Sequence, residues 1–231
     1  MAFILSKLMR NVVIIYIIYS AIQWGLKSKS YTISPKEFKN IAAKAIGGPL
    51  QSAVGSLSND LRRSYGPAIA HDAPWTALTL GGHDLRALFL HASLTEYLAV
   101  IGTPLASNGR VGMHWSNSSC TVLTGTVTRF TDSISFGKKE TFKSGDNFRH
   151  GQFESQIYSF SDETYMACYG RGIIPFSALP AATGALTRGE PANFANLVMA
   201  YGQSAYNNVV MSAMKIFNHY KSRATGGKSE L

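Results

Sequence analysis

The sequence predicts an α+β fold in the order membrane anchor, helices, β-barrel, helices. Three observations carry this reading. Residues 11–26 hold no charge, and residues 12–18 form a solid apolar block. From about residue 119 to residue 169 the chain breaks into short segments rich in Thr, Val, Ser and aromatics, separated by Gly, Asp and Asn. Strands of a barrel or jelly roll have this look. After Pro180 helical spacing returns over a stretch with few charges.

Residues 11–26 alone are short for a span, which needs about 20 residues. Residues 2–5 are also apolar, and Lys7 and Arg10 can snorkel to the interface, so residues 1–28 are long enough for a transmembrane helix. Tyr16, Tyr19 and Trp24 suit the interfacial belt. A cleaved signal peptide is the alternative. Basic residues within the apolar region, and no small-x-small site before Lys27, argue against it. Lys7 and Arg10 balance Lys27 and Lys29, so charge sets no orientation. Residues 29–231 then form the barrel domain with its flanking helices.

Ser34-Pro35-Lys36-Glu37 reads as a capping box that starts a helix running to about Ile46, before Gly47-Gly48-Pro49. Residues 50–65 read as a second helix, stopped by Gly66-Pro67. Gly81-Gly82 is expected to open a third. In it Leu85, Leu88, Phe89, Ala92 and Tyr97 recur at helical spacing, Ser93 and Glu96 share a face, and Gly102 or Pro104 ends it. Strands are expected at 119–130, 140–142, 153–160 and 164–169. Residues 193–220 carry Phe194, Leu197, Val198, Tyr201, Ala205, Val209, Met211, Met214 and Phe217, and no charge before Lys215. A helical pair lying on a membrane fits this pattern, and so does a pair packed on the barrel.

The 231 residues allow one large domain or two small ones. The net charge is +9, yet the basic residues come in ones and twos, as at Arg62/Arg63, Lys138/Lys139 and Lys221/Arg223. No basic arm, zinc-finger spacing or RNA-binding strand motif is present, so nucleic acid is not an expected partner. Basic residues beside apolar segments at both ends fit a membrane surface better. Two cysteines exclude a disulfide-rich scaffold and an all-cysteine zinc site. No hydrolase elbow, zinc-protease motif or phosphate loop occurs, and neither a metal nor a cofactor is expected. Asn117-Ser118-Ser119 is a glycosylation sequon just before a predicted strand. The C-terminal Lys228-Ser229-Glu230-Leu231 is a degenerate form of the endoplasmic-reticulum retrieval tetrapeptide, departing at Ser229.

Several motifs together point to a family. They are Gly81-Gly82, His91-Ala92-Ser93-Leu94-Thr95-Glu96-Tyr97, Gly102-Thr103-Pro104-Leu105, Trp115, Gly125-Thr126, His150-Gly151, Glu154 and Tyr169-Gly170-Arg171-Gly172-Ile173-Ile174-Pro175. The sequence here resembles the family of the sigma non-opioid receptor and the fungal C-8 sterol isomerases, nearly without gaps from about residue 79 to 180. The ends agree in position more than in sequence. The resemblance implies one N-terminal transmembrane helix, a cupin-like β-barrel (a jelly roll), and a C-terminal membrane-lying helix pair at about 191–223. It also implies a single-pass protein of the endoplasmic-reticulum membrane with a lumenal body, a homotrimer, and a lipophilic ligand in the barrel.

The departure from the family falls at its site. The receptor's barrel holds two hydrogen-bonded carboxylates, one just before the Tyr-Gly-Arg-Gly segment and one five residues after the tryptophan. Here those positions are Cys168 and Cys120. A neutral thiol, with a pKa near 8.5 that apolar burial raises, cannot replace a buried anion. Three readings of the pair stand open: small buried hydrophobes, a disulfide, or a catalytic thiol pair. Asp84, His83, Tyr97 and His150 are the other candidate catalytic groups. Leu78, Ala87, Phe89, Ile101, His114, Trp115, Ser118, Tyr169 and Leu179 match or adjoin the family's pocket and are the candidate substrate-binding residues. Glu96, Glu154 and Arg171 read better as structural. The expected function is an isomerase or cyclase acting on a sterol-, terpenoid- or polyketide-like molecule. The alternative is a non-catalytic, receptor-like binder of lipophiles.

Overall fold

The computed structural model describes residues 2–29, 31–70, 72–131 and 137–226. Two units divide the chain, residues 1–32 and residues 33–231.

The first unit is one helix, α1 (Ala2–Ser28). Its stretch Lys7–Ser28 is 22 residues long and apolar enough to cross a membrane. At 1.5 Å per residue it spans about 33 Å, against a hydrocarbon core of about 30 Å. Val12, Ile14, Ile15 and Ile17 are exposed, so protein does not cover this apolar surface. The hydroxyl of Tyr31 donates to the carbonyl of Leu26 at 2.8 Å and satisfies one of the last helical carbonyls.

The second unit begins with α2 (Pro35–Lys44) and α3 (Leu50–Tyr65). Ser34 is the N-cap of α2, but its side chain makes no cap bond. Glu37 instead accepts a hydrogen bond from Tyr65 Oη at 2.7 Å, and that oxygen accepts from the Ser34 N–H at 3.2 Å. The expected capping box is thus replaced by a clasp between two helices. Phe38, Ile41 and Ala42 of α2 and Leu57 and Leu61 of α3 are buried on one sheet.

The expected third helix is a pair of hairpins: β1 (Trp75–Leu80), β2 (His83–Ala92) and β3 (Glu96–Thr103). Gly81, at φ +59, makes the first turn, and a Cβ there would lie 1.8 Å from the carbonyl oxygen of Arg110. Ser93 and Glu96 do not share a helix face; they form the second turn, with Ser93 Oγ accepting from the Glu96 N–H at 3.0 Å. The reason is burial on both faces. A strand covered on both sides loses its polar alternation, and its apolar positions then mimic a helix.

The remaining strands are β4 (Ser107–Arg110), β5 (Ser116–Thr124), β6 (Thr126–Thr131), β7 (Lys138–Lys143), β8 (Asn147–His150), β9 (Ile157–Phe160) and β10 (Thr164–Gly172). The strand expected at 119–130 is split at Gly125, and its halves enter different sheets. Only the last four residues of the segment 153–160 are a strand. One sheet has the order β1-β2-β3-β10-β5-β8 and the other β4-β9-β6-β7. Their inner faces share one apolar layer, which includes Leu78, Val122, Phe148, Val127 and Phe160. The architecture is α+β and cupin-like. The outer face of the larger sheet carries Leu90, Leu98, Val100 and Ala167 against α2 and α3.

Three helices follow: α4 (Ile174–Ser177), α5 (Leu179–Thr187) and α6 (Pro191–Gly226). The stretch expected to hold a pair is a single 36-residue helix. Leu197 packs inward, the hydroxyl of Tyr201 donates to the carbonyl of Ser93, and Asn208 Nδ2 donates to the carbonyl of Ala92 at 2.9 Å. Val198, Met199, Tyr206, Val209, Met214 and Phe217 are exposed along α6. Residues 228–231 lie outside the described residues, and so does any reading of them as a retrieval signal.

Candidate functional site

The two sheets and the C-terminal helices enclose a cavity of about 490 Å³. Pockets that hold drug-sized molecules run from about 300 to 1,000 Å³. Its lining follows from strand alternation. Ser118 and Cys120 of β5, Phe148 and His150 of β8, Tyr158 and Phe160 of β9, and Met166 and Cys168 of β10 each sit two residues apart and share the inner face. Ala178 and Ala181 at α4–α5, and Leu197, Val198 and Tyr201 of α6, complete the wall. Among the described lining residues there is no Asp, Glu, Lys or Arg.

Cys120 and Cys168 are directly opposed in the β5–β10 register, with Cα atoms 4.1 Å apart, and their sulfurs are bonded. Of the three open readings, the disulfide is the one present. The catalytic-thiol reading is corrected, because a disulfide sulfur carries no titrating proton. The pair still lines the cavity.

Two histidines supply polarity. His114 and His150 stand edge to face with ring centroids 5.5 Å apart. Burial lowers the pKa of His114 to about 4, with the nearby His150 adding to the effect. Burial also lowers His150. Both imidazoles are therefore neutral near pH 7. His150 Nδ1 lies 3.1 Å from Tyr158 Oη. Tyr158 donates to Gln156 Oε1 at 3.1 Å, and Gln156 Nε2 donates to Glu154 Oε2 at 3.1 Å. Burial pushes the Tyr158 phenol up to about 12. Tyr97 also faces the cavity and meets Ser118, and burial raises its pKa. Its ring lies across Gly170, where a Cβ would come within 2.2 Å of the ring edge.

The predicted site residues divide. Tyr97, His150, Cys120, Cys168, Leu78, Phe89, Ile101, His114 and Ser118 line the cavity. Ala87 lies between Leu85 and Phe89 on the inner face of β2 but is fully covered and is not part of the cavity surface. Asp84 is not in the site: its side chain is 74% exposed and pairs with Arg188. His83 is buried, but its nitrogens are taken by Ser107 Oγ at 3.0 Å and the Gly109 carbonyl at 2.9 Å. That ring ties β2 to β4. Trp115 packs outside the cavity between Phe153 and Phe176. Tyr169 alternates away from Cys168 and faces α2, donating to Glu96 Oε2 at 2.9 Å. Leu179 starts α5 and is 51% exposed. The structure thus corrects Asp84 and His83 as catalytic candidates and Ala87, Trp115, Tyr169 and Leu179 as lining residues. Glu96 and Arg171 are structural: the buried Glu96 lies 3.5 Å from His91, and Arg171 donates to Tyr169 and to the carbonyl of Ile33.

Sequence reasoning missed Tyr158, Phe148, Met166, Tyr201 and the supporting Gln156. The first three lay within reach, because each falls two residues from another lining position on the same strand. Tyr201 and Gln156 had no such signal.

The sequence pattern of the family described as ERG2 and Sigma1 receptor like protein matches residues 8–212. The chain is 31% identical over 180 residues to "Sigma non-opioid intracellular receptor 1" of Taricha granulosa, covering 76% of this chain and 80% of that protein. It is 33% identical over 143 residues to "Protein erg2 homolog" of Dictyostelium discoideum, covering 59% and 58%. Among solved structures, a RmlC-like cupin from Shewanella frigidimarina shares 14% identity at a TM-score of 0.37, over 45% of this chain and 89% of that one. On the extent of the pattern and the identity to these relatives, the chain belongs to the ERG2 and sigma-1 receptor-like family.

Proposed function

We propose that the barrel takes up an uncharged lipophile of sterol, terpenoid or polyketide type and catalyses a double-bond shift or ring closure in it. The observation that carries this reading is a cavity without an ionised group among its described lining residues, whose polar atoms belong to neutral His and Tyr side chains and to serines. A cation would lose its hydration there and gain no counter-ion. The two family carboxylate positions are a disulfide, so protonation of an isolated double bond has no strong acid to perform it. Chemistry in this site rests on enclosure, on hydrogen bonding by Tyr97 and Ser118, and on neutral His150 as a base. As in the family, the reading places the protein in the endoplasmic-reticulum membrane through α1, with a lumenal body and as a homotrimer.

The test uses full-length protein purified in detergent. Organic extraction and mass spectrometry are expected to return a neutral polycyclic or isoprenoid compound. Incubating protein with that compound in heavy water is expected to place deuterium on its carbon skeleton. A cationic amphiphile as the bound species would overturn the reading. A bound neutral lipid that never gains deuterium and never changes connectivity would favour the second reading, a binding protein without catalysis. The absence of any carboxylate among the described lining residues is what keeps that second reading in view.

A further inference from the structure

Asn117-Ser118-Ser119 is the only Asn-x-Ser/Thr triplet in the 231 residues. It falls in β5, where Ser118 and Cys120 face the cavity, so Asn117 and Ser119 belong to the opposite face of the sheet. On that face α2 and α3 cover Leu90, Leu98, Val100 and Ala167. Asn117 is not covered; it is exposed at the start of the strand. Only half of its carboxamide is in use. Oδ1 accepts the Gln152 N–H at 3.0 Å, and Nδ2 meets no acceptor among the described residues. An amide that carries a substituent on nitrogen keeps its carbonyl oxygen as an acceptor, so a group on Nδ2 displaces no hydrogen bond. Ser119 Oγ is engaged with Asn147 Oδ1 at 3.2 Å in the folded sheet. Its hydroxyl is needed for glycan transfer only while the chain is still extended, before β5 pairs. A second observation bears on the compartment. Cys120, three residues on in the same strand, is bonded to Cys168. Disulfides form and persist in oxidising compartments, the endoplasmic-reticulum lumen among them.

We propose that Asn117 is an N-glycosylation site whose glycan stands on the outer face of the larger sheet. This rests on the reading that places the body of the protein in the lumen. The co-reactant is an oligosaccharide linked to a lipid diphosphate, and the host's transferase catalyses the step. Nδ2 bonds to the anomeric carbon of the first sugar, the bond from that carbon to the diphosphate oxygen breaks, and the lipid diphosphate leaves with one amide proton. The finished sheet accepts the product because the site is exposed and Oδ1 keeps its bond to Gln152. A glycan is bulky and strongly hydrated. It holds this end of β5 in water and keeps it from lying on a membrane or against a second copy of the chain.

Two measurements test it on the full chain made in eukaryotic cells. The first treats the protein with a peptide N-glycosidase in heavy-oxygen water. Most molecules are expected to migrate faster on a denaturing gel after treatment and to show a labelled aspartate at position 117 in peptide mass spectra. Asn117→Gln and Ser119→Ala are each expected to migrate, untreated, like the deglycosylated chain. The gel reads denatured protein, so neither variant has to fold for the comparison to hold. A glycosidase-sensitive shift that persists in Asn117→Gln overturns the assignment. The second measurement digests sealed microsomes with a protease, with and without detergent. The body is expected to survive until detergent opens the membrane. A protected body with Asn117 unmodified overturns the glycosylation and leaves the lumenal reading intact. A body digested without detergent, with Asn117 unmodified, overturns both.

Discussion

Cys120 and Cys168 face each other across β5 and β10 and are 48 residues apart in sequence. Closing a loop of that length restricts the unfolded chain and stabilises the fold by about 4 kcal/mol. Replacing both by Ala is therefore expected to lower stability by roughly that amount in denaturant titrations of the solubilised protein. Tyr169, one residue on, points to the other face and joins Glu96, Ile33 and Arg171 through one oxygen. Tyr169→Phe removes only that oxygen, and with it the hydrogen bonds to Glu96, Ile33 and Arg171. A loss of about 2 kcal/mol is expected; a loss under a few tenths would deny the clasp a structural role. His114 sets a pH dependence. Above pH 6.5 it is neutral in both states and contributes nothing. As pH falls from 6.5 towards 4, the unfolded chain takes up a proton that the folded chain refuses, so stability drops. The drop is on the order of 3 kcal/mol, His150 acts in the same direction, and His114→Leu is expected to flatten the profile.

The β1–β2 hairpin decides where Leu78 and Leu85 enter the cavity wall. It turns on Gly81, whose positive φ and contact with the Arg110 carbonyl exclude a side chain. Gly81→Ala is expected to cost more than about 2 kcal/mol, read as a lowered unfolding temperature. This hairpin is also where the sequence misled. Leu85, Leu88, Phe89 and Ala92 satisfy helical spacing because β2 is buried towards the cavity on one face and towards α3 on the other. Gly81-Gly82, read as a helix start, is a turn signal between two strands. Elements that meet solvent or a membrane on one side were legible. α2, α3 and α1 stand close to where caps, glycines and apolar length put them.

At the scale of the molecule the cavity has no charged side chain among its described lining residues and holds a disulfide in its wall. The register places positions 120 and 168 side by side, so two carboxylates there would be close enough to share one proton. Cys120→Asp together with Cys168→Glu is expected to strengthen binding of a cationic amphiphile by tenfold or more over the unaltered chain, measured by competition in detergent. Equal, tight binding of the amine by both proteins would show that the disulfide does not set the cavity's preference.

The sequence by itself determined the apolar N-terminal helix, the family, the helix–barrel–helix order and the two cysteine positions, 120 and 168. These depend on local length, capping and motif spacing, which a linear chain displays. Only the tertiary structure decided which face of each strand meets the cavity. It sent Asp84 to a surface ion pair, Tyr169 beneath α2 and Trp115 outside the barrel, and it brought in Tyr158 and Tyr201. The physical reason is the two-residue period of a strand: one step of register exchanges cavity for exterior, and that step is set by pairing with strands distant in sequence.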